Sequence, residues 1–251
     1  MEALERFATI GLADLNARAE LLRRFDTKYL VPLDRVDELC GSLPAHQLVL
    51  LNDGRLATNY TTNYYDTVDL TCYFDHLKRR RKRFKIRTRH YGDPHGGYLE
   101  IKIKKPRDQT EKVRFPCDVA MVGESLSNEH LSRLSEAFHR ASYPGLEGSW
   151  QRTLETTFTR ATLFDPVAVE RLTVDSQLRA RGAGSSIDLG RSHVIVEIKS
   201  PTQVGRTHRV LTRMGIRPMS LSKYCMAMSV LDPSLRGAPW RAPLRTLRAP
   251  R

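Results

Sequence analysis

Lys85-Ile86-Arg87-Thr88-Arg89 and Glu100-Ile101-Lys102-Ile103-Lys104 alternate charged and uncharged residues without a break. In an extended chain that period of two sends the charges to one face of a sheet and the other residues to the opposite face. Gly92, Asp93, Pro94, Gly96 and Gly97 lie between the two segments, which therefore read as the arms of a hairpin. Related patterns recur at Arg24-x-Asp26-x-Lys28, Lys112-x-Arg114, Arg171-x-x-x-Asp175 and Glu197-x-Lys199. Phe25, Phe84, Ile86, Leu99, Ile101, Ile103, Val113, Phe115, Leu172, Val174, Val196 and Ile198 fill the positions between. The product is a sheet with one apolar face and one face rich in Lys and Arg. An antiparallel sheet can leave such a face in solvent. A closed barrel instead turns it into the lumen and covers the apolar face with helices. A solvated face normally mixes signs, so the excess of cations weighs against the first arrangement.

Working outward, residues 1–20 are expected to form a helix, with Leu4, Phe7, Leu12 and Leu15 loosely on one side. Strands are predicted over about 22–31, 57–65, 84–91, 98–104, 111–115, 152–163, 169–179 and 192–199. Helices are predicted over 33–43, 127–140, 205–214 and 221–231, with a short helix or turn over 66–77. The fold class expected is α+β, an eight-stranded antiparallel β-barrel with flanking helices. Residues 1–20 would be an N-terminal helix and 21–232 the barrel domain. Residues 233–251 form a basic, Pro-containing tail expected to be disordered.

The chain has 251 residues, of which 40% are hydrophobic and 27% charged, an ordinary globular composition. Its net charge of +13 calls for anionic partners. Cys40, Cys72, Cys117 and Cys225 are far apart, with no zinc spacing, which suits reduced thiols. The first residues lack an apolar signal core and no run reaches membrane-spanning length, so a cytoplasmic location without a membrane segment is expected.

The sequence contains no G-x-S-x-G, H-E-x-x-H, Walker lysine or G-x-G-x-x-G. His90, His95, His193 and His208 show no ligand spacing. What remains is chemistry performed by charge and positioning, and phosphoryl transfer is of that kind. Arg offers planar, bidentate contact to phosphate oxygens and Lys a mobile point charge. A divalent metal would need a hard oxygen ligand, and Glu197 and Glu100 are the carboxylates of the cationic face best placed for it. Nucleic acid is disfavoured as a partner, because residues between the cations are mainly aliphatic and belong to the other face.

Eight motifs occur in a characteristic order: R-F-D-T-K-Y (24–29), K-I-R-T-R (85–89), Y-L-E-I-K (98–102), E-K-V-R-F (111–115), F-T-R-A (158–161), E-R-L-T-V-D (170–175), V-I-V-E-I-K (194–199) and S-L-S-K-Y (220–224). Together they resemble the VTC domain, the polyphosphate polymerase module of the triphosphate tunnel metalloenzymes (the CYTH-like superfamily). That resemblance implies a tunnel holding ATP, inorganic polyphosphate and Mn2+ or Mg2+, in which the terminal phosphate of ATP joins a growing chain. It implies that Lys28, Arg87, Arg89, Lys102 and Arg171 carry catalysis and that Lys112, Arg160 and Lys223 bind substrate. Lys85 and Lys199 join the substrate-binding set by strand alternation. Glu197 is the implied metal ligand, with Glu100 a second candidate.

Two departures bear on activity. Relatives that hydrolyse triphosphate or cyclise ATP typically carry E-x-E-x-K where this chain has Arg24-Phe25-Asp26-Thr27-Lys28, and loss of the first carboxylate favours the polymerase branch. Polymerase relatives can also carry a second Lys where this chain has Ser220. A metal-dependent tripolyphosphatase or nucleoside triphosphatase, and a non-catalytic polyphosphate-binding module, remain the alternatives. The run Lys78–Arg83 reads as a plain solvated patch or, alternatively, as a localisation-like patch, a nucleic-acid contact or a basic rim that attracts polyanions.

Overall fold

The computed structural model describes residues 2–18, 25–104, 110–119, 122–143, 148–182, 184–235 and 238–248. Among them one sheet gathers β1 (Ala8–Ile10), β2 (Phe25–Pro32), β3 (Leu48–Leu50), β4 (Ala57–Thr67), β5 (Arg83–Tyr91), β6 (Asp93–Lys104), β7 (Thr110–Cys117), β8 (Trp150–Asp165), β9 (Glu170–Gly182), β10 (Ser185–Asp188) and β11 (His193–Ser200). The helices are α1 (Leu12–Arg18), α2 (Val36–Gly41), α3 (Thr71–Leu77), α4 (Asn128–Arg140), α5 (Arg206–Arg213), α6 (Lys223–Leu231) and α7 (Arg241–Arg248). The main ladder runs β2-β11-β9-β8-β4-β5-β6-β7, and every pairing along it is antiparallel. This is the expected α+β architecture.

The expected closure differs. Strands β2 and β7 end the ladder, and among the described residues no pairing joins them. The sheet curls instead: Lys102 on β6 lies within the electrostatic reach of Asp26 and Lys28 on β2 and Glu197 on β11. Register shifts at Tyr64/Tyr65, Thr157/Thr159 and His90/Tyr91 help bend the strands, since a bulge adds local twist. The hairpin arms approach closely at Gly97, where a Cβ would lie 2.5 Å from the Arg89 carbonyl oxygen.

Alternation builds the packing. Ile86, Leu99, Ile101 and Ile103 are buried in one cluster with Leu134, Ala137 and Phe138 of α4. Val31, Leu163, Leu172, Val174, Val196 and Ile198 are buried in another with Leu39 of α2 and Val210 and Leu211 of α5. Each such aliphatic side chain contributes about 2 kcal/mol on burial, which fixes the register because a one-residue slip would reverse both faces. Helix α6 is buried from Tyr224 to Ser229 and joins the first cluster. Its N-cap Ser222 accepts from the Cys225 amide at 3.2 Å.

The ends of the chain depart from expectation. The helix expected over 1–20 is interrupted: Ala8–Ile10 is a strand paired in parallel with Leu48–Leu50, where Ile10 is buried in a cluster with Leu15 and Phe164, so tertiary pairing outweighs the loose helical spacing. Residues 19–24, including the start of the first predicted strand, lie outside the described residues. The tail expected to be disordered forms α7, with Trp240 and Leu247 buried in the main cluster. Its apolar residues outweigh a basic, Pro-containing composition.

Candidate functional site

The concave face collects the alternating charges. Cross-strand pairs place Lys28 opposite Glu197 and Asp26 opposite Lys199. Lys199 is opposite Arg171, Glu197 opposite Thr173, and Asp175 opposite Arg160. On the other arm, Lys85 faces Lys102, Arg87 faces Glu100, and Lys102 faces Lys112. Lys28, Lys85, Arg87, Arg89, Lys102, Lys112, Arg160, Arg171 and Lys199 thus share one face, and α6 adds Lys223 at its first turn. Asp26, Glu100, Asp175 and Glu197 are its carboxylates, so cations are in clear excess. Three of these carboxylates organise it.

Glu100 is 1% exposed. It accepts from Arg87 Nε and pairs with the Arg87 terminal nitrogen, both at 2.8 Å, and meets Lys112 Nζ at 2.5 Å. Arg114 and Arg89 approach to 3.8 and 4.0 Å. Burial alone would raise its carboxyl, but Arg87, Arg89 and Lys112 pull it down to about 2. Glu100, expected as a second metal ligand, lies with its oxygens against Arg87 and Lys112 and with Arg89 and Arg114 nearby.

Asp175 is the second centre. Arg160 donates to it twice, at 2.5 and 2.7 Å, and Lys223 donates to the same carboxylate. Against the cost of burial, those two cations bring Asp175 to about 2. Glu197 is the third. It pairs with Lys28 at 3.1 Å and keeps a side chain 15% exposed. Burial opposes its ionisation, yet Lys28, Lys199, Arg160 and Lys102 hold it well below the usual carboxylate range.

The lysines show the cost of this crowding. Burial first, then neighbouring cations, lowers Lys112 to about 7 and Lys102 and Lys223 to about 8. Lys102 and Lys112 reach solvent, but the curved sheet surrounds them, so the concavity still disfavours their charge. Lys85 donates to Ser222 Oγ at 2.9 Å, tying β5 to the start of α6.

Sequence reasoning left several participants without a role. Asp175 and Arg114 stood in the alternating motifs and were not assigned one. Tyr60 and Phe158 stack at 5.1 Å, and Arg160 lies 5.0 Å over Tyr60 and 5.3 Å over Phe158. These rings correct the expectation that the basic face lacks aromatics: β4 and β8 supply Tyr60 and Phe158, and Tyr91 on β5 and Tyr98 on β6 extend the row. The signal was present, because Tyr60 and Tyr64 share the parity of Thr62, which accepts from Arg89 Nε at 3.1 Å.

A metal fits this chemistry only with help from substrate. Among the described residues, no three His, Cys, Asp or Glu side chains cluster to bind an ion unaided. Magnesium is commonly held by one or two carboxylates plus substrate phosphates, and Glu197 can provide such a carboxylate. The cross-strand neighbour of Glu197, Thr173, has a buried hydroxyl without a hydrogen-bond partner among the described residues.

The curled antiparallel sheet thus presents a concave face in which cations outnumber carboxylates. The chain belongs to the VTC domain family, whose model matches residues 23–232. No curated protein matches it. Its fold is similar to that of an adenylate cyclase candidate from Bacillus halodurans, at 13% identity, 79% of this chain, 93% of that chain and a TM-score of 0.49. It is also similar to HpAC1 from Hippeastrum, an adenylyl cyclase candidate with a dominant triphosphatase activity, at 13% identity, 86% and 100% coverage and a TM-score of 0.46. The PH1819 protein of Pyrococcus horikoshii OT3 aligns at 11% identity over 84% of this chain and 98% of its own, with a TM-score of 0.44. Among the described residues no helix is long and apolar enough to cross a membrane.

Proposed function

We propose that this protein is an ATP-dependent polyphosphate polymerase that transfers the γ-phosphate of ATP to a polyphosphate chain. The observation that carries the reading is the excess of cations on the concave face, supplied by seven of the eight strands of the main ladder and by Lys223 of α6, while β4 carries none. A donor triphosphate and a polyanionic acceptor repel each other strongly, and bringing them together requires a surface of this kind. Arg87, Arg89, Arg160 and Arg171 suit bidentate contact with phosphate oxygens, and Lys28, Lys102, Lys112 and Lys223 supply point charges between them.

In the proposed step, a terminal polyphosphate oxygen attacks the γ-phosphorus of ATP. The new P–O bond replaces the bond to the β–γ bridging oxygen, and ADP leaves with that electron pair. An ionised phosphate oxygen needs no general base. The cations hold both chains and neutralise charge on the transferring group. Glu197 would hold Mn2+ or Mg2+, which supplies further positive charge to the phosphate oxygens when bound. The replacement of the first family carboxylate by Arg24 also supports the polymerase over the hydrolase reading; Arg24 lies outside the described residues.

The test is incubation of purified protein with ATP and Mn2+, following ADP, long-chain polyphosphate and free phosphate in one tube. The expected result is ADP and chains in step, with little free phosphate. Free phosphate alone would assign a hydrolase. Neither product, with retained polyphosphate binding, would assign a binding module.

A further inference from the structure

An aromatic belt crosses four neighbouring strands and runs out of the cationic zone. Phe158 on β8 stacks on Tyr60 of β4 at 5.1 Å. Tyr60 meets Tyr91 of β5 edge-on at 4.8 Å, and Tyr91 meets Tyr98 of β6 at 6.3 Å. The two ends of the belt differ. At the inner end Lys223 lies 3.8 Å from the Phe158 centroid, Phe158 is 3% exposed, and the ring belongs to the main core. At the outer end Tyr91 and Tyr98 are half-buried and lie outside the hydrophobic clusters. Tyr91 is the last residue of β5, so this end borders the β5–β6 turn. Arg114 covers Tyr98 at 5.1 Å, and its own side chain is 50% exposed.

Core packing accounts for Phe158 and not for a pair of half-exposed tyrosines capped by a half-exposed guanidinium. A planar heterocycle does: bases stack on tyrosine rings and on guanidinium planes with little regard to sequence. The phosphates of a nucleotide are drawn to the adjacent Arg87, Arg89 and Lys112. Its uncharged base gains less among those cations than the phosphates do, and is left at the rim where the rings are. Resting on the reading of ATP as donor, we propose that Tyr91, Tyr98 and Arg114 form the nucleobase subsite, which sets the preference for a nucleoside triphosphate over bare tripolyphosphate.

The test is calorimetric titration of the full chain with ATP and, separately, with inorganic tripolyphosphate, both with Mg2+. In Tyr98→Leu and in Tyr91→Leu, ATP affinity is expected to fall about 5- to 100-fold, the range of one lost stacking contact. Tripolyphosphate affinity is expected to stay within about twofold, and Tyr98→Phe to retain ATP binding, because the contact is made by the ring. Equal losses for both ligands would make the belt structural and overturn the subsite. Unchanged ATP affinity in both folded leucine variants would place the base elsewhere. A wild-type protein that binds tripolyphosphate and not ATP would overturn the donor reading along with the subsite.

Discussion

Glu100 and Glu197 look alike in the sequence and live differently in the fold. Each is a carboxylate in an E-x-K alternation, each faces the concavity, and each is held below its usual pKa by cations. Glu100 is closed in by Arg87 and Lys112 with Arg89 and Arg114 behind them, and is 1% exposed. Glu197 pairs with Lys28 at 3.1 Å and keeps an accessible edge. The lesson is that a carboxylate on a cationic face can stabilise the face or serve the ligand. The two differ in how closely cations press on them and in the exposure that remains, 1% for the Glu100 side chain and 15% for that of Glu197.

That contrast sets the order of the predictions. Glu197→Gln should lower phosphoryl transfer on the order of 100-fold or more, the scale of losing one electrostatic contributor. It should leave much of the polyphosphate binding in place, read by turnover and by a binding isotherm on the same preparation. Full activity in that variant would remove Glu197 from the chemistry.

Glu100→Gln should act on stability first. It leaves Arg87 and its neighbours without their counter-ion, and breaking a buried pair costs about 3–5 kcal/mol. For a chain of this size that lowers Tm by roughly 10 °C. Added polyphosphate should restore part of the loss by replacing the missing anion. An unshifted melting curve would contradict the counter-ion role.

A smaller effect is expected with pH. Lys112 near 7 and Lys102 and Lys223 near 8 lose their protons across neutrality in the empty protein. A polyanion favours their charged forms, so its binding takes up protons and its affinity should fall as pH rises from about 7 to 9. Stability of the empty protein should move the other way. These lysines carry lower pKa values folded than unfolded, so the unfolded chain binds more protons and stability rises through the same window. Titrations at three pH values, with melting curves alongside, read both trends.

The smallest effect concerns Lys78–Arg83, which leads into β5. Lys78 through Lys82 are exposed, Arg80 pairs with Asp75 at 3.0 Å, and Arg83 donates to the Arg80 carbonyl at 2.6 Å. Neutralising the exposed members should slow polyphosphate capture several-fold and flatten its salt dependence, with the chemical step unchanged. Salt dependence equal to wild type would mark the run as a plain solvated patch.

Much of this architecture could be read from alternation alone. Parity alone puts Lys85, Arg87, Arg89, Lys102, Lys112 and Glu197 on the charged faces of their strands, because the side-chain period of a strand is two. Parity also put Asp175 with Arg171, but nothing local says that Asp175 is claimed by Arg160 and Lys223. Those partners come from a neighbouring strand and a helix some distance along the chain. The same limit hid the difference between Glu100 and Glu197, which depends on what surrounds each carboxylate in space. The tail was misjudged for a related reason: Trp240 and Leu247 become core residues only once the sheet offers a surface to cover.

The most direct measurement is Mn2+ binding by electron paramagnetic resonance in the presence of tripolyphosphate, for wild type, Glu197→Gln and Glu100→Gln. The account predicts that protein-dependent Mn2+ binding is lost in Glu197→Gln and retained in folded Glu100→Gln. Loss in Glu100→Gln with retention in Glu197→Gln would contradict it.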